Sequence, residues 1–121
     1  AVLGLSFKPE TDDMRFAPSI TIIRELLAKG AAVQTFDPIA MDNAKRIFAE
    51  DKNIIFAKDP YAALKDADLC VVVTEWNEFR GLSLNKMKDL MKSPKIVDGR
   101  NIFDPEEVAK KGFSYIGVGR T

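Results

Sequence analysis

Apolar residues recur along the chain with two different spacings, which predict alternating strands and helices. The first apolar stretch, AVLGLSF, is short and nearly continuous, and it predicts a buried strand at residues 2–7. In the segment PSITIIRELLAK, isoleucine and leucine recur every three or four residues, which predicts an amphipathic helix over residues 18–29. Pro18 suits the first turn of this helix, and Gly30 suits its end.

The same alternation continues to the end of the chain. The β-branched run at residues 69–74 is typical of a central strand that is covered on both faces. Alternating strands and helices indicate one α/β domain, a Rossmann-like open parallel sheet of about six strands with helices on both faces. The other predicted strands are residues 31–36, 54–56, 95–98 and 113–118, and the other helices are residues 40–50, 60–66, 83–91 (with Ser83 as N-cap) and 105–111.

Polar residues follow four of the predicted strands, where the chain leaves the sheet. In open parallel sheets, ligands bind outside the carboxyl ends of the strands, near the point where the strand order reverses. Because parallel strands end at the same edge, we expect these polar segments to lie close together. The segments are Phe7-Lys8, Asp37-Pro38, Thr74-Glu75-Trp76 and Asp98-Gly99-Arg100.

Three cations, Lys8, Arg15 and Arg100, belong to this expected edge. Arginine offers a planar fork that matches phosphate oxygens, and lysine acts as a point charge. Three cations on one edge of a neutral domain suit a phosphorylated small molecule. In the alternative interpretation, the two arginines only pair with nearby carboxylates, with Asp12, Asp13, Asp37 and Asp98 as candidates.

The chain lacks the usual signatures of an independent nucleotide site or a catalytic centre. No G-x-G-x-x-G turn follows the first strand and no P-loop is present, so we expect no independent NAD site. There is no histidine, and we expect no metal site. The single cysteine, Cys70, falls among valines, where a thiol behaves as a small inert hydrophobe. No catalytic residue is therefore predicted.

Two further pairs of residues leave alternatives open. Asp12 and Asp13 fit either a pair of general bases or helix caps and dipole partners in an early helical turn. Trp76 and Phe79 fit either stacking on a base or packing at the rim of the core, and packing is the more common use of such residues.

Composition limits the class of protein. The 121 residues suffice for one domain, and 18 basic residues balance 18 acidic ones, so we expect no nucleic acid and no anionic membrane as partner. The longest apolar run is too short to cross a bilayer. A single cysteine suits a reducing, cytoplasmic setting. The chain begins inside an apolar run without methionine, so we expect it to be a piece of a longer protein.

Several motifs, taken in order, resemble one enzyme family along essentially the whole chain. They are GLSFKPETDDMRFAPS, FDP, DADLCVVVTEW, VDGRN and YIGVGR. Together they resemble the C-terminal UDP-binding domain of the UDP-glucose/GDP-mannose dehydrogenase family, and the segment TDDMR…PS is most similar to the UDP-glucose 6-dehydrogenase branch. The resemblance leaves open a GDP-mannose or UDP-N-acetylmannosamine dehydrogenase, and fold alone leaves open a non-catalytic Rossmann-like interaction domain.

The resemblance implies that residues 1–121 are the nucleotide-sugar-binding domain of a longer enzyme, whose NAD-binding and central domains lie outside this chain. Such an enzyme oxidises UDP-glucose to UDP-glucuronate with two NAD and tends to form homo-oligomers. Its cysteine nucleophile belongs to a preceding segment, which Cys70 does not match. The fragment alone is therefore expected to be inactive.

The same resemblance assigns roles to individual residues. Phe7, Lys8 and Arg100 would bind the nucleotide sugar, and Arg15 would reach toward NAD held by the missing N-terminal domain. Phe16 is a departure, because the family often has a glutamate after this arginine. Any hydrogen bond made by that glutamate is therefore not expected here.

Overall fold

The computed structural model describes residues 1–119, so the Arg120 of the YIGVGR motif lies outside the described residues. Six parallel strands form one sheet in the order β3-β2-β1-β4-β5-β6, which confirms the predicted Rossmann-like α/β architecture. The strands are β1 Val2–Leu3, β2 Val33–Phe36, β3 Ile54–Phe56, β4 Cys70–Val72, β5 Lys95–Asp98 and β6 Ser114–Gly117. The helices are α1 Pro18–Ala28, α2 Met41–Ile47, α3 Pro60–Leu64, α4 Asn77–Arg80, α5 Leu84–Leu90 and α6 Pro105–Lys110.

The strand order reverses between β1 and β4, which is the topological switch point of the sheet. Val2 in β1 lies opposite Thr35 in β2 on one side and Val71 in β4 on the other. The chain leaving β1 is therefore flanked by the ends of β2 and β4.

Helices cover both faces of the sheet, and each face has its own group of buried side chains. Successive residues of a strand point to opposite faces. Val2 accordingly packs with Ile23 of α1 and Ala44 of α2, whereas Leu3 packs with residues of the other four helices, such as Met87. Burial on both faces explains why the central strands β1 and β4 have only apolar residues.

Capping residues account for several helix boundaries. Proline occupies the first turn of α1, α3 and α6. The Asp59 side chain accepts a hydrogen bond from the Ala62 N–H (2.7 Å) and caps α3. Ser83 caps α5 as predicted, accepting from the Lys86 N–H.

The predicted elements differ from the structure mainly at their ends. The predicted strand at residues 2–7 was too long, because β1 ends at Leu3 where Gly4 turns the chain at φ +99°. The run predicted as a strand at residues 69–74 forms only β4, three residues long. The short helix α4 was not predicted, since four residues carry too little periodicity to be recognised. None of the helices described is long and apolar enough to span a membrane.

Candidate functional site

The carboxyl ends of β2, β1, β4 and β5 lie side by side, and each is followed by one of the predicted polar segments. The topology therefore places these segments along one edge, as the sequence predicts. We call this edge, comprising residues 4–16, Asp37, residues 73–76 and residues 98–100, the carboxyl edge. Because it includes the switch point, it is the expected ligand site of such a sheet.

Gly4 brings the chain leaving β1 into close contact with the end of β4. Its N–H donates to the Phe36 carbonyl (2.9 Å), and its φ of +99° lies in the region that favours glycine. A Cβ at this position would lie 2.5 Å from both the Cβ and the backbone N of Thr74. Only glycine fits this crossing.

Asp37, directly after β2, binds groups from both neighbouring strands. Its Oδ2 accepts hydrogen bonds from the backbone N–H groups of Leu5 (2.8 Å) and Ser6 (3.1 Å), which follow β1. The same oxygen accepts from the indole Nε1–H of Trp76 (3.2 Å), which follows β4. One carboxylate thus ties together three strand ends.

The other oxygen of Asp37 organises the approach to α2. Its Oδ1 accepts from the N–H groups of Ile39 and Ala40, both at 2.9 Å. Burial is the largest single influence on the carboxyl group and acts to raise its pKa, but the four backbone N–H groups together outweigh it and hold the pKa below the usual value. Asp37 is therefore a buried anion whose hydrogen bonds favour the charged form.

Phe7 and Lys8 lie just beyond these buried contacts. Phe7 is half exposed, and its N–H donates to the Asp13 carbonyl (2.8 Å). The Lys8 side chain is exposed, while its carbonyl accepts from the Ser6 hydroxyl (2.9 Å). Within residues 1–119 the Lys8 ammonium forms no salt bridge. It is thus free to meet an anion.

Arg15 is paired with Asp13 at the surface. Its Nε and Nη2 donate to the two carboxylate oxygens (3.1 and 2.9 Å), and its backbone N–H donates to Oδ1 (2.9 Å). The hydrogen bonds from the Arg15 side chain, then from its backbone, lower the pKa of Asp13 to about 2, and the charge of Lys8 acts in the same direction. Asp13 is therefore held as a carboxylate chiefly by Arg15.

Arg100 is paired with a different carboxylate. Its Nε lies 2.8 Å from Oε2 of Glu75, and its Nη2 donates to Oε1 (3.2 Å). The backbone N–H of Arg100 donates to Asp98, whose other oxygen accepts from Tyr115 OH (2.8 Å). Arg100 thus presents its guanidinium beside the end of β4, on a loop held by β5 and β6.

The structure therefore pairs the two arginines with carboxylates and leaves the Lys8 ammonium without a salt bridge within residues 1–119. Arg15 pairs with Asp13, whereas Arg100 pairs with Glu75. Of the alternative interpretation, the pairing of arginines with nearby carboxylates is observed for Arg15 and Asp13. For Arg100 the carboxylate expected was wrong, because β4 ends beside β5 and brings Glu75 within reach.

The structure also bears on the other predicted residues. Trp76 and Phe79 are buried (6% and 0% exposed) and pack in the core, so their ring faces are not available for a base. Asp12 and Asp13 do not belong to a helical turn, because α1 begins only at Pro18. Cys70 is fully buried, which raises its pKa to about 12 and keeps the thiol inert.

A surface cavity of about 610 Å³ lies between residues 12–16, which precede α1, and helices α1 and α2. Ile20 and Ile47 contribute to its lining. Phe16 stands beside it with 95% of its surface exposed and a φ of +58°, in the left-handed region. The Phe16 side chain is therefore open to its surroundings.

Sequence reasoning missed the part played by Asp37 and Ser6. Asp37 was considered only as a partner for arginine, yet it binds backbone and indole N–H groups. An aspartate between a buried strand and a proline was the available signal, since such a carboxylate has no water to satisfy it. The partners themselves come from segments more than 30 residues away.

Comparisons with known proteins agree with this geometry. Residues 1–105 match the model of the UDP-glucose/GDP-mannose dehydrogenase family, UDP binding domain. Over 99% of its length the chain is 48% identical to UDP-glucose 6-dehydrogenase of Rhizobium meliloti (strain 1021) and 44% identical to UDP-glucose 6-dehydrogenase TuaD of Bacillus subtilis (strain 168). It spans only 27% and 26% of these two relatives, about a quarter of each.

Solved structures show the same likeness. A UDP-glucose dehydrogenase from Pyrobaculum islandicum superposes with a TM-score of 0.79 at 31% identity, covering 99% of this chain and 25% of that one. UDP-D-ManNAc dehydrogenase from Pyrococcus horikoshii gives a TM-score of 0.77 at 28% identity, covering 98% and 25%. Since the family model spans most of the chain and includes the whole carboxyl edge, the chain belongs to the UDP-glucose/GDP-mannose dehydrogenase family and corresponds to its UDP-binding domain.

Proposed function

We propose that this domain binds the nucleotide sugar in an enzyme that oxidises the C6 hydroxyl of UDP-glucose to the carboxylate of UDP-glucuronate. The observation that carries the proposal is the family match over residues 1–105, which contains the whole carboxyl edge. Relatives named UDP-glucose 6-dehydrogenase at 44–48% identity favour UDP-glucose, whereas related structures with other sugar nucleotides are 28% identical.

The carboxyl edge offers the charges that a nucleoside diphosphate sugar requires. Lys8 is exposed beyond the switch point, and Arg100 presents a guanidinium beside the end of β4. Phe7 adds a half-exposed aromatic ring next to Lys8. We assign these three residues to substrate binding, with Arg100 exchanging its bond to Glu75 for a bond to the ligand.

NAD would be bound by another part of the enzyme and would contact this domain only from there. The turn after β1 has no glycine-rich phosphate loop. Gly4 packs against Thr74, so it is not available for contact with a phosphate. The Arg15 guanidinium, with 84% of its side chain exposed, is the group able to reach a cofactor held by another part of the enzyme. Two NAD, when bound, would accept two hydrides, which balances the four-electron oxidation of an alcohol to a carboxylate.

No residue of this chain is proposed as the nucleophile. Cys70 is inaccessible, so the chemistry belongs to the remaining three quarters of the enzyme. The chain's own task is to bind and orient the substrate. A cytoplasmic location and a homo-oligomeric enzyme remain predictions.

The full-length protein provides the test. Lys8→Ala and Arg100→Ala should each lower kcat/KM for UDP-glucose by about 10- to 150-fold, the equivalent of roughly 1.5–3 kcal/mol for a hydrogen bond to a charged group. Lys52→Ala is the matched control, because this exposed lysine precedes β3 at the opposite edge. It should leave kcat/KM unchanged.

Three results would count against the proposal. Equal effects of all three substitutions would show that the carboxyl edge does not bind the substrate. Turnover of GDP-mannose equal to or better than that of UDP-glucose would reassign the sugar nucleotide. A parent chain without an upstream G-x-G-x-x-G turn and a cysteine-bearing segment would favour a non-catalytic domain instead.

A further inference from the structure

We propose that Ser6, Asp37 and Thr74 are positioning residues for nucleotide-sugar binding, because together they hold the backbone that carries Phe7 and Lys8. We call these three residues the Ser6 clamp. The inference rests on the proposed function, in which Phe7 and Lys8 contact the substrate. None of the three clamp residues is proposed to touch the ligand.

Every polar group of Ser6 is engaged. Its N–H and hydroxyl lie 3.1 and 3.2 Å from Oδ2 of Asp37, and its hydroxyl also lies 2.9 Å from the Lys8 carbonyl oxygen. Its carbonyl oxygen accepts from the hydroxyl of Thr74 (2.8 Å). All three clamp residues are at most 1% exposed, so the bonds of Ser6 to Asp37 and Thr74 are buried, whereas its bond to the Lys8 carbonyl is partly buried.

The two residues that hold Ser6, Asp37 and Thr74, come from opposite sides of the switch point. Asp37 follows β2 and Thr74 follows β4, while Ser6 lies in the chain that leaves β1 between them. A shift of Ser6 toward either side would break bonds on the other side. The position of the backbone before Phe7 is therefore determined by both halves of the sheet.

The charge of Asp37 suits this role. As a carboxylate it only accepts hydrogen bonds, and it faces the N–H groups that follow β1 and β2 and the Trp76 indole N–H. The single proton of the Ser6 hydroxyl lies between Asp37 (3.2 Å) and the nearer Lys8 carbonyl (2.9 Å). The lowered pKa of Asp37 keeps it ionised at neutral pH. The clamp is thus complete under the conditions in which the enzyme works.

Lys8 gains most from such a fixed backbone. Its side chain is long and exposed, so the direction in which it leaves the backbone decides whether the ammonium meets the ligand. The bond from Ser6 to the Lys8 carbonyl sets this direction before any ligand arrives. Preorganisation of this kind lowers the entropic cost of binding. Loosening the clamp should weaken binding of the nucleotide sugar more than binding of NAD.

Thr74→Val and Thr35→Val in the full-length protein form a matched pair for the test. Each replaces a fully buried threonine by a residue of the same shape, and each removes one hydroxyl that donates to a backbone carbonyl at 2.8 Å. Thr74 binds the clamp, whereas Thr35 binds Val2 within the sheet. A general loss of stability would be shared by both variants.

Thr74→Val should raise KM for UDP-glucose by about 3- to 10-fold, with less than a twofold change in KM for NAD. Thr35→Val should leave both KM values unchanged, and Thr74→Ser, which keeps the hydroxyl, should restore the wild-type KM. In a Lys8→Ala background, Thr74→Val should have a clearly smaller effect on KM for UDP-glucose, because only the positioning of Phe7 is then left to lose. This last result is one that a purely structural role would not produce.

Other outcomes overturn the inference. Equal KM changes for Thr74→Val and Thr35→Val, or full additivity of Thr74→Val with Lys8→Ala, would show that the clamp does not position the binding residues. Should Thr74→Val fail to fold, Ser6→Ala replaces it in the same design. A wild-type protein that neither binds UDP nor oxidises UDP-glucose would refute the proposed function itself. Normal wild-type activity with unaffected clamp variants refutes only the clamp.

Discussion

Asp37 and Asp13 both belong to the carboxyl edge, but their carboxylates differ in burial and in the groups that they bind. Asp37 is buried and binds backbone N–H groups from two strand ends, a hydroxyl and an indole. Asp13 is at the surface and binds the exposed guanidinium of Arg15. Both carboxyl groups have a lowered pKa, but the causes differ: the Arg15 side chain for Asp13, and four backbone N–H groups acting against burial for Asp37.

The carboxyl edge therefore has a fixed part, held by buried hydrogen bonds to Asp37, and an exchangeable part, formed by the surface ion pair of Asp13 and Arg15. A buried carboxylate cannot lose its partners without leaving donors unsatisfied, which is costly. A surface ion pair contributes little and is screened by salt. Arg15 can therefore leave Asp13 for an anionic ligand at low cost. The comparison thus describes a rigid base, formed around Asp37, that carries exposed cations.

The largest effect is expected from Asp37→Asn. The amide can keep one oxygen toward Leu5 and Ser6, but its NH2 then faces the N–H groups of Ile39 and Ala40, and two donors, of which that of Ala40 is buried, lose their acceptor. The free energy of unfolding should fall by about 3 kcal/mol or more, measured by urea unfolding.

Asp13→Asn is the matched control, since it removes the same charge from the same edge. It should shift the urea midpoint far less than Asp37→Asn, because the oxygens of Asp13 are accessible to water. Similar losses from the two substitutions would remove the distinction between the fixed and the exchangeable part.

A somewhat smaller loss is expected from Gly4→Ala. The new Cβ would collide with Thr74 at 2.5 Å, and the positive φ would add strain, for a total of about 2–4 kcal/mol. Gly30→Ala, at φ +91° with no atom within 4 Å of its Cβ position, should cost only the backbone strain of about 1–2 kcal/mol. Urea unfolding of both variants measures the difference, and equal losses would mean that the contact with Thr74 is not tight.

The smallest expected effect is the dependence of the free energy of unfolding on acidic pH and on salt concentration. Because the pKa of Asp37 is lower in the folded protein than its usual value of 3.8, the unfolded chain binds its proton first as the pH falls. The stability that Asp37 contributes is thus present above pH 3.8 and is lost as the pH drops through the folded value. Urea unfolding at several acidic pH values should show a shallower decline for Asp37→Asn.

The same measurement at about 1 M salt, where the Debye length is about 3 Å, separates the two carboxylates. The part of the pH dependence that comes from Asp13, whose pKa is about 2, should shrink with salt, whereas the part from Asp37 should persist. An equal response of both parts to salt would contradict the difference in burial on which the comparison depends.

Much of the fold was predictable because periodicity is a local property of the chain. The strands at residues 54–56 and 95–98 have the predicted limits, and Ser83 caps its helix as expected. The prediction was wrong for the strand at residues 2–7. An apolar run cannot reveal that Gly4 must turn to pass Thr74, since that contact joins residues 70 positions apart.

The candidate site was predicted in its composition but not in its pairing. The placement of Lys8 and Arg100 in the segments that follow parallel strands came from strand direction alone, whereas Arg15 lies farther along the loop, shortly before α1. That Arg100 meets Glu75 rather than an aspartate required the adjacency of β4 and β5. That Asp37 binds the chain after β1 required the adjacency of β1 and β2.

The sequence by itself thus determined the α/β class, the edge at which polar residues collect and the family likeness. These depend on residue type and on spacing within single elements. Only the tertiary structure decided which carboxylate meets which donor, and that Ser6 is held between Asp37 and Thr74. Such contacts require distances of about 3 Å between segments far apart in the chain, and those distances exist only once the strands are side by side in the folded sheet.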